Sequence, residues 1–202
     1  MKKHLSFLFV AVAVAIACTR NASAATTAGL GAAGLGADVL SLPGIHATVT
    51  TGTVAMAVRR GNAVGVLKEV MGSGDGAKLN SGEATLGYMA GLVEPEIRVG
   101  ALSATGADFT GASVGYVMGG LVLTENAVPG LVYTCEILDG NTFAASSNAG
   151  SGSGRAYKVG VGVSESLTQR VTLIERYSDE RLAVGDGAIV DHSTTISIAD
   201  RF

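Results

Sequence analysis

The sequence predicts an all-β chain: an up-and-down antiparallel transmembrane β-barrel of eight to ten strands behind an N-terminal signal peptide. Three observations predict it. The first 24 residues have the layout of an export signal, and apolar residues thereafter recur at alternate positions. Short polar breaks also alternate with longer stretches rich in Gly, Ser, Asn and Asp.

Composition narrows the field first. Of 202 residues 48% are hydrophobic and only 15% charged, which suits neither a disordered tail nor a nucleic-acid binder. Mean hydropathy is +0.41. The chain has 29 Gly, no Trp, 5 Tyr and 5 Phe, so its apolar surface is poorly supplied with bulky aromatics for a globular core. A formal charge of −3 offers no basic field for phosphates.

The signal segment has three parts. Lys2 and Lys3 are followed by the apolar run Leu5 to Cys18, and Ala22-Ser23-Ala24 supplies a small-x-small cleavage site. The run is shorter than the roughly 20 residues a membrane-spanning helix needs. Cleavage after Ala24 divides the chain into a signal peptide, 1–24, and a barrel domain, 25–202. It leaves 11 basic against 17 acidic residues, a formal charge of −6, and Cys135 as the one cysteine. Acylation of Cys18 is the rival reading; Ala15 and Arg20 fit ordinary cleavage better.

Alternation then marks the strands. Tyr157, Val159, Val161 and Val163 share one face, with Lys158, Gly160, Gly162 and Ser164 on the other. Ile97 and Val99 alternate with Glu96 and Arg98; Tyr133, Cys135 and Ile137 alternate with Thr134, Glu136 and Leu138. Breaks at 59–62, 93–95, 125–128 and 166–169 are short. Stretches at 72–81, 105–110, 139–154 and 178–191 read as long loops, the third of them low in complexity. The segments between are strands near 27–37, 46–58, 63–71, 83–92, 96–105, 111–123, 128–138, 155–165, 170–178 and 192–202. Ten strands bring both termini to one side. Eight remains open because the first two segments are weakly patterned.

Alternation alone admits two architectures. In a secreted or surface-attached sandwich, an adhesin-like binding module, the apolar face points inward. In a barrel it faces lipid, and Glu96, Arg98, Glu136, Lys158, Thr172, Arg176 and Arg201 line the lumen. The small residues of the polar face, the lopsided breaks and the signal favour the barrel. With little free lumen, such charges would pair as a plug rather than a conducting or catalytic path.

Reactive motifs are sparse. Asp191, His192 and Ser193 are strand neighbours and cannot converge as a triad. The Gly-rich piece 29–36 lacks the Lys-Ser/Thr of a phosphate loop, and zinc spacing is absent. No catalysis, cofactor or metal is expected.

The C-terminal half resembles the OmpA-like, opacity-type outer-membrane β-barrel proteins. The resembling pieces are TGASVGYVMGGLVLTENAVPGLVYTCEIL (110–138), YKVGVGVSESLTQRVTLIERYSDE (157–180) and HSTTISIADRF (192–202). The resemblance implies a final strand whose apolar positions are Ile196, Ile198 and Phe202, with Arg201 as the penultimate basic residue. Phe202 would then be the recognition signal for the barrel-assembly machinery. Asp200 departs from the pattern, which has an aromatic there. Ile174-Glu175 breaks the alternation, which implies a bulge or a missing residue. Interfacial aromatics are few.

The expected protein is therefore a monomeric integral barrel of a Gram-negative outer membrane, structural or surface-exposed in role. Its partners would be the lipid bilayer, the assembly machinery and an unidentified surface ligand at the loops.

Overall fold

The computed structural model describes residues 27–42, 45–106, 109–147 and 150–201. The signal segment and Phe202 lie outside them. The described chain is almost wholly strand: β1 (Thr27–Leu42), β2 (Ile45–Arg60), β3 (Ala63–Gly74), β4 (Ala77–Tyr88), β5 (Val93–Gly106), β6 (Phe109–Val128), β7 (Leu131–Ser147), β8 (Gly150–Ser151), β9 (Arg155–Ser166), β10 (Val171–Val184) and β11 (Gly187–Arg201).

Ten of these form one antiparallel sheet in sequence order, and β8 is a two-residue addition to β7. β1 pairs with both β2 and β11, and β6 pairs with both β5 and β7. The ring therefore has no free edge. This is a closed ten-stranded barrel; eight strands and the two-sheet sandwich are both excluded as its architecture.

The strands run to 12–20 residues, longer than the sequence reading. The reason is that most of the expected loops are strand. Gly72–Ser81 is the end of β3 and the start of β4, joined at Asp75-Gly76. Both turn residues have positive φ, 46° and 73°, the geometry of a tight hairpin whose twist matches the strands it joins. Ser178–Asp191 likewise belongs to β10 and β11 around Gly185-Asp186. Asp139–Gly154 is strand as far as Ser147. Polar residues on alternate positions were mistaken for loop because both faces change character part-way along each strand.

That change organises the molecule. Call the end carrying the starts of β1, β3, β5, β7 and β10 proximal, and the other distal. In the proximal half the outward face is apolar: Leu35, Val54, Ile97, Ile137, Val161 and Ile198 are each more than half exposed. Tyr88 and Tyr133 stand outward near the proximal turns, where interfacial aromatics anchor a barrel. In the distal half the outward face is mostly polar, with Thr48, Thr50, Ser73, Lys78, Asn80, Asn141 and Arg181 exposed. Inside, the order is reversed. Leu40, Val49, Leu79, Leu102, Val114, Leu182, Val184 and Ile189 form a buried apolar cluster across the distal lumen. Charged side chains fill the middle.

Three further sequence expectations need correction. Val93–Pro95 is the start of β5 and Glu125–Val128 the end of β6; the turns lie at 89–92 and at Pro129-Gly130 instead. The Ile174-Glu175 step hides no bulge or deletion: β10 pairs with β11 without a break from Val171 to Val184. Ile174 points inward and Glu175 outward, so a reversal of residue chemistry was read as one of geometry.

Glycine makes the narrow lumen possible at defined places. A Cβ on Gly100 would run into the Tyr116 ring, which is fully buried across the β5–β6 pair. Gly100→Ala is expected to destabilise the barrel by about 1–3 kcal/mol through overpacking. Urea unfolding in lipid vesicles checks this; Gly100→Ala/Tyr116→Leu should recover much of the loss.

Candidate functional site: the charged lumen

The lumen charges follow from alternation on curved strands. Inward positions recur every second residue, so Glu96 and Arg98 share the lumen face of β5, as do Ser178 and Glu180 on β10. Arg98 is the hub. Its guanidinium contacts Glu96 on its own strand and Glu136 on β7, and Nη1 stands 3.7 Å from Oε1 of Glu83 on β4. Arg176 from β10 reaches Glu136 at 3.8 Å, with its side chain partly open to solvent.

Lys158 belongs to a second group. Its ammonium donates to Glu180 Oε2 at 3.0 Å, both side chains being buried. The hydroxyl of Tyr116 donates to Glu83 Oε2 at 3.0 Å, on the Arg98 side. Gly160 leaves the space Glu136 needs: a Cβ there would sit 2.6 Å from Oε1.

Of the lumen residues expected from sequence, Glu96, Arg98, Glu136 and Arg176 are brought together, while Lys158 pairs elsewhere. Thr172 is the second residue of β10, near the proximal mouth, and the Arg201 side chain lies outside the described residues. Ile196 and Ile198 face outward on the apolar belt. Ala22, Ala24 and Phe202 lie outside the described residues. His192 stands outward, 3.5 Å from Asp179, while Asp191 and Ser193 line the lumen. Cys135 is exposed on the outward face.

Sequence reasoning missed Asp38, Lys68, Glu83, Glu180 and Asp191. Glu180 and Asp191 fell in a stretch read as loop. Lys68 sits beside Glu69 in Val64–Met71, where apolar residues fall on both faces and neither reads as inward. Following the period through Ser178, Glu180, Leu182 and Val184 would have exposed the inward row.

Outside the belt, Arg155 and Asp139 form a solvent-exposed bidentate pair, 2.9 Å on both arms. Arg155 holds the Asp139 carboxyl below its usual range by hydrogen bonding to it. Such an exposed pair contributes little to stability. The buried hub differs: Arg98 neutralises carboxylates that have lost their water.

Two outcomes follow. Arg98→Met, which strands Glu96 and Glu136, is expected to cost about 3–5 kcal/mol in urea unfolding; a cost below about 1 kcal/mol would show that Arg98 is not the neutralising centre. With the distal lumen filled by leucines and valines, a planar bilayer containing the protein is expected to show no large steady conductance.

No protein-family model matches the chain, and no curated protein matches it. Among solved structures it is similar to the translocator domain of the autotransporter NalP from Neisseria meningitidis, at 14% identity over 98% of this chain and 96% of that one, TM-score 0.48. It is also similar to Neisserial surface protein A, at 14% identity over 89% and 100%, TM-score 0.47. The beta domain of the Bordetella autotransporter BrkA is similar at 14% identity over 88% and 100%, TM-score 0.42.

Proposed function

We propose that this chain is an integral outer-membrane β-barrel of a Gram-negative bacterium, monomeric, with a structural or surface-exposed role and no reaction of its own. The observation that carries this reading is the outward belt. A soluble barrel buries its apolar face; here a closed ring turns large apolar side chains outward throughout its proximal half and charged ones inward. Only a hydrocarbon surround makes that arrangement favourable, because lipid then covers the belt while backbone groups are satisfied by the closed sheet.

The remaining parts of the reading rest on the sequence. Residues 1–24 act as a cleaved signal, with Ala22 and Ala24 flanking the cut, and Phe202 with Ile196 and Ile198 forms the signal read by the barrel-assembly machinery. Kinship with the OmpA-like, opacity-type barrels rests on residues 110–138, 157–180 and 192–202. The distal half projects from the membrane as a polar-walled stub, so among the described residues a surface ligand would meet strand walls and the tight turns at Asp75-Gly76 and Gly185-Asp186.

Cell fractionation combined with gels run with and without boiling tests the proposal. The chain is expected in the outer-membrane fraction, beginning at Ala25, with heat-modifiable mobility; deletion of Phe202 is expected to lower the folded amount. Recovery in the soluble periplasm would overturn the reading.

A further inference from the structure

Between the charged hub and the distal apolar cluster lies an internal cavity of about 30 Å³, room for one or two waters. Its titratable groups come one from each of seven strands: Asp38 (β1), Lys68 (β3), Glu83 (β4), Tyr116 (β6), Lys158 (β9), Glu180 (β10) and Asp191 (β11). β5 adds only the apolar Leu102. The charges match one against one. Lys158 lies 3.0 Å from Glu180, Arg98 lies 3.7 Å from Glu83, and Lys68 is the cation left to offset Asp38. Tyr116 gives its proton to the Glu83 hydrogen bond. Asp191 is the carboxyl that remains, with no cation of its own.

The strand register makes that position unfit for an anion. Asp191 stands directly opposite Glu180 on one side and Leu40 on the other. An ionised Asp191 would therefore face a like charge across one ladder and an apolar side chain across the next. Its Oδ1 is shut off from solvent and has no hydrogen-bond partner among the described residues. A neutral carboxyl escapes the cost of a buried unmatched charge. We propose that Asp191 is a pH-sensitive lock: it stays protonated at neutral pH, which keeps the distal half firmly packed, and its ionisation in mildly alkaline medium loosens that half. Asp191 belongs to the distal half, beyond the apolar belt, five residues from the start of β11 when Gly187 is counted as the first. Burial, with the negative charges of Asp38 and Glu180, pushes its carboxyl up to about 8. An aspartate of the unfolded chain ionises near 4. The stabilising contribution of the proton is thus complete below about pH 4 and is lost as the pH rises to about 8.

The test is urea unfolding of the full chain in lipid vesicles, wild type against Asp191→Asn, across the range from acid to mildly alkaline pH. Taking the ratio of the two folding constants removes the response of the other titrating groups, which both chains share. Between about pH 5 and 8 the wild-type constant is expected to fall about tenfold per pH unit relative to the variant, and above that range the two should run parallel. Infrared spectroscopy of the folded wild type gives a second reading. The carbonyl band of a protonated carboxyl is expected at neutral pH, fading as the pH passes about 8 and missing from Asp191→Asn. Should that variant fail to fold, the wild-type band alone decides, by fading near that pH or not. A constant ratio of folding constants, no protonated-carboxyl band at neutral pH, or a band unchanged in Asp191→Asn would each overturn the lock.

Discussion

The hydrogen bonding of β6 to β7 closes the sheet on itself, and the rest of the structure depends on that closure. An open sheet could leave its polar edges to water; a ring inside hydrocarbon has to satisfy every backbone donor and acceptor internally. Closure also commits every second residue of ten strands to a narrow interior. There is no freedom to turn an awkward side chain outward without moving the register of its whole strand. Large interior groups are accommodated by glycine on neighbouring strands, as Gly100 accommodates Tyr116 and Gly160 accommodates Glu136.

Charge inside such a ring has to be matched locally, because water cannot screen it. Arg98 does this for the carboxylates gathered from β4, β5 and β7, while Lys158 does it for Glu180. At the distal side of the charged layer Asp38 and Asp191 stand with Lys68 and Lys158 around a small internal cavity. Beyond that layer the lumen turns apolar and closes.

The polarity reversal along the strands has one cause. The proximal outward face meets a hydrocarbon surround and the distal outward face meets water, so the outward residues change from apolar to polar part-way up. The interior runs the other way, since the emergent part of the barrel has to be held together as any water-soluble sheet is, by buried apolar side chains such as Leu79, Leu102 and Leu182.

Much of this was legible in the chain. Period two at Glu96–Val99, Tyr133–Leu138 and Tyr157–Ser164 determined the strands and which residues share a face, since backbone pleating alone sets that; which face turns inward was decided by the closing of the ring. What the sequence could not decide was where strands end: Ser73, Lys78, Asp179 and Arg181 look like loop residues, and only the height at which lipid gives way to water makes them strand walls. Nor could it pair Lys158 with Glu180 or bring Asp38 beside Asp191. Those partners lie far apart in the chain or on different strands, and the register of a closed ring, a property of all ten strands at once, decides which of them meet.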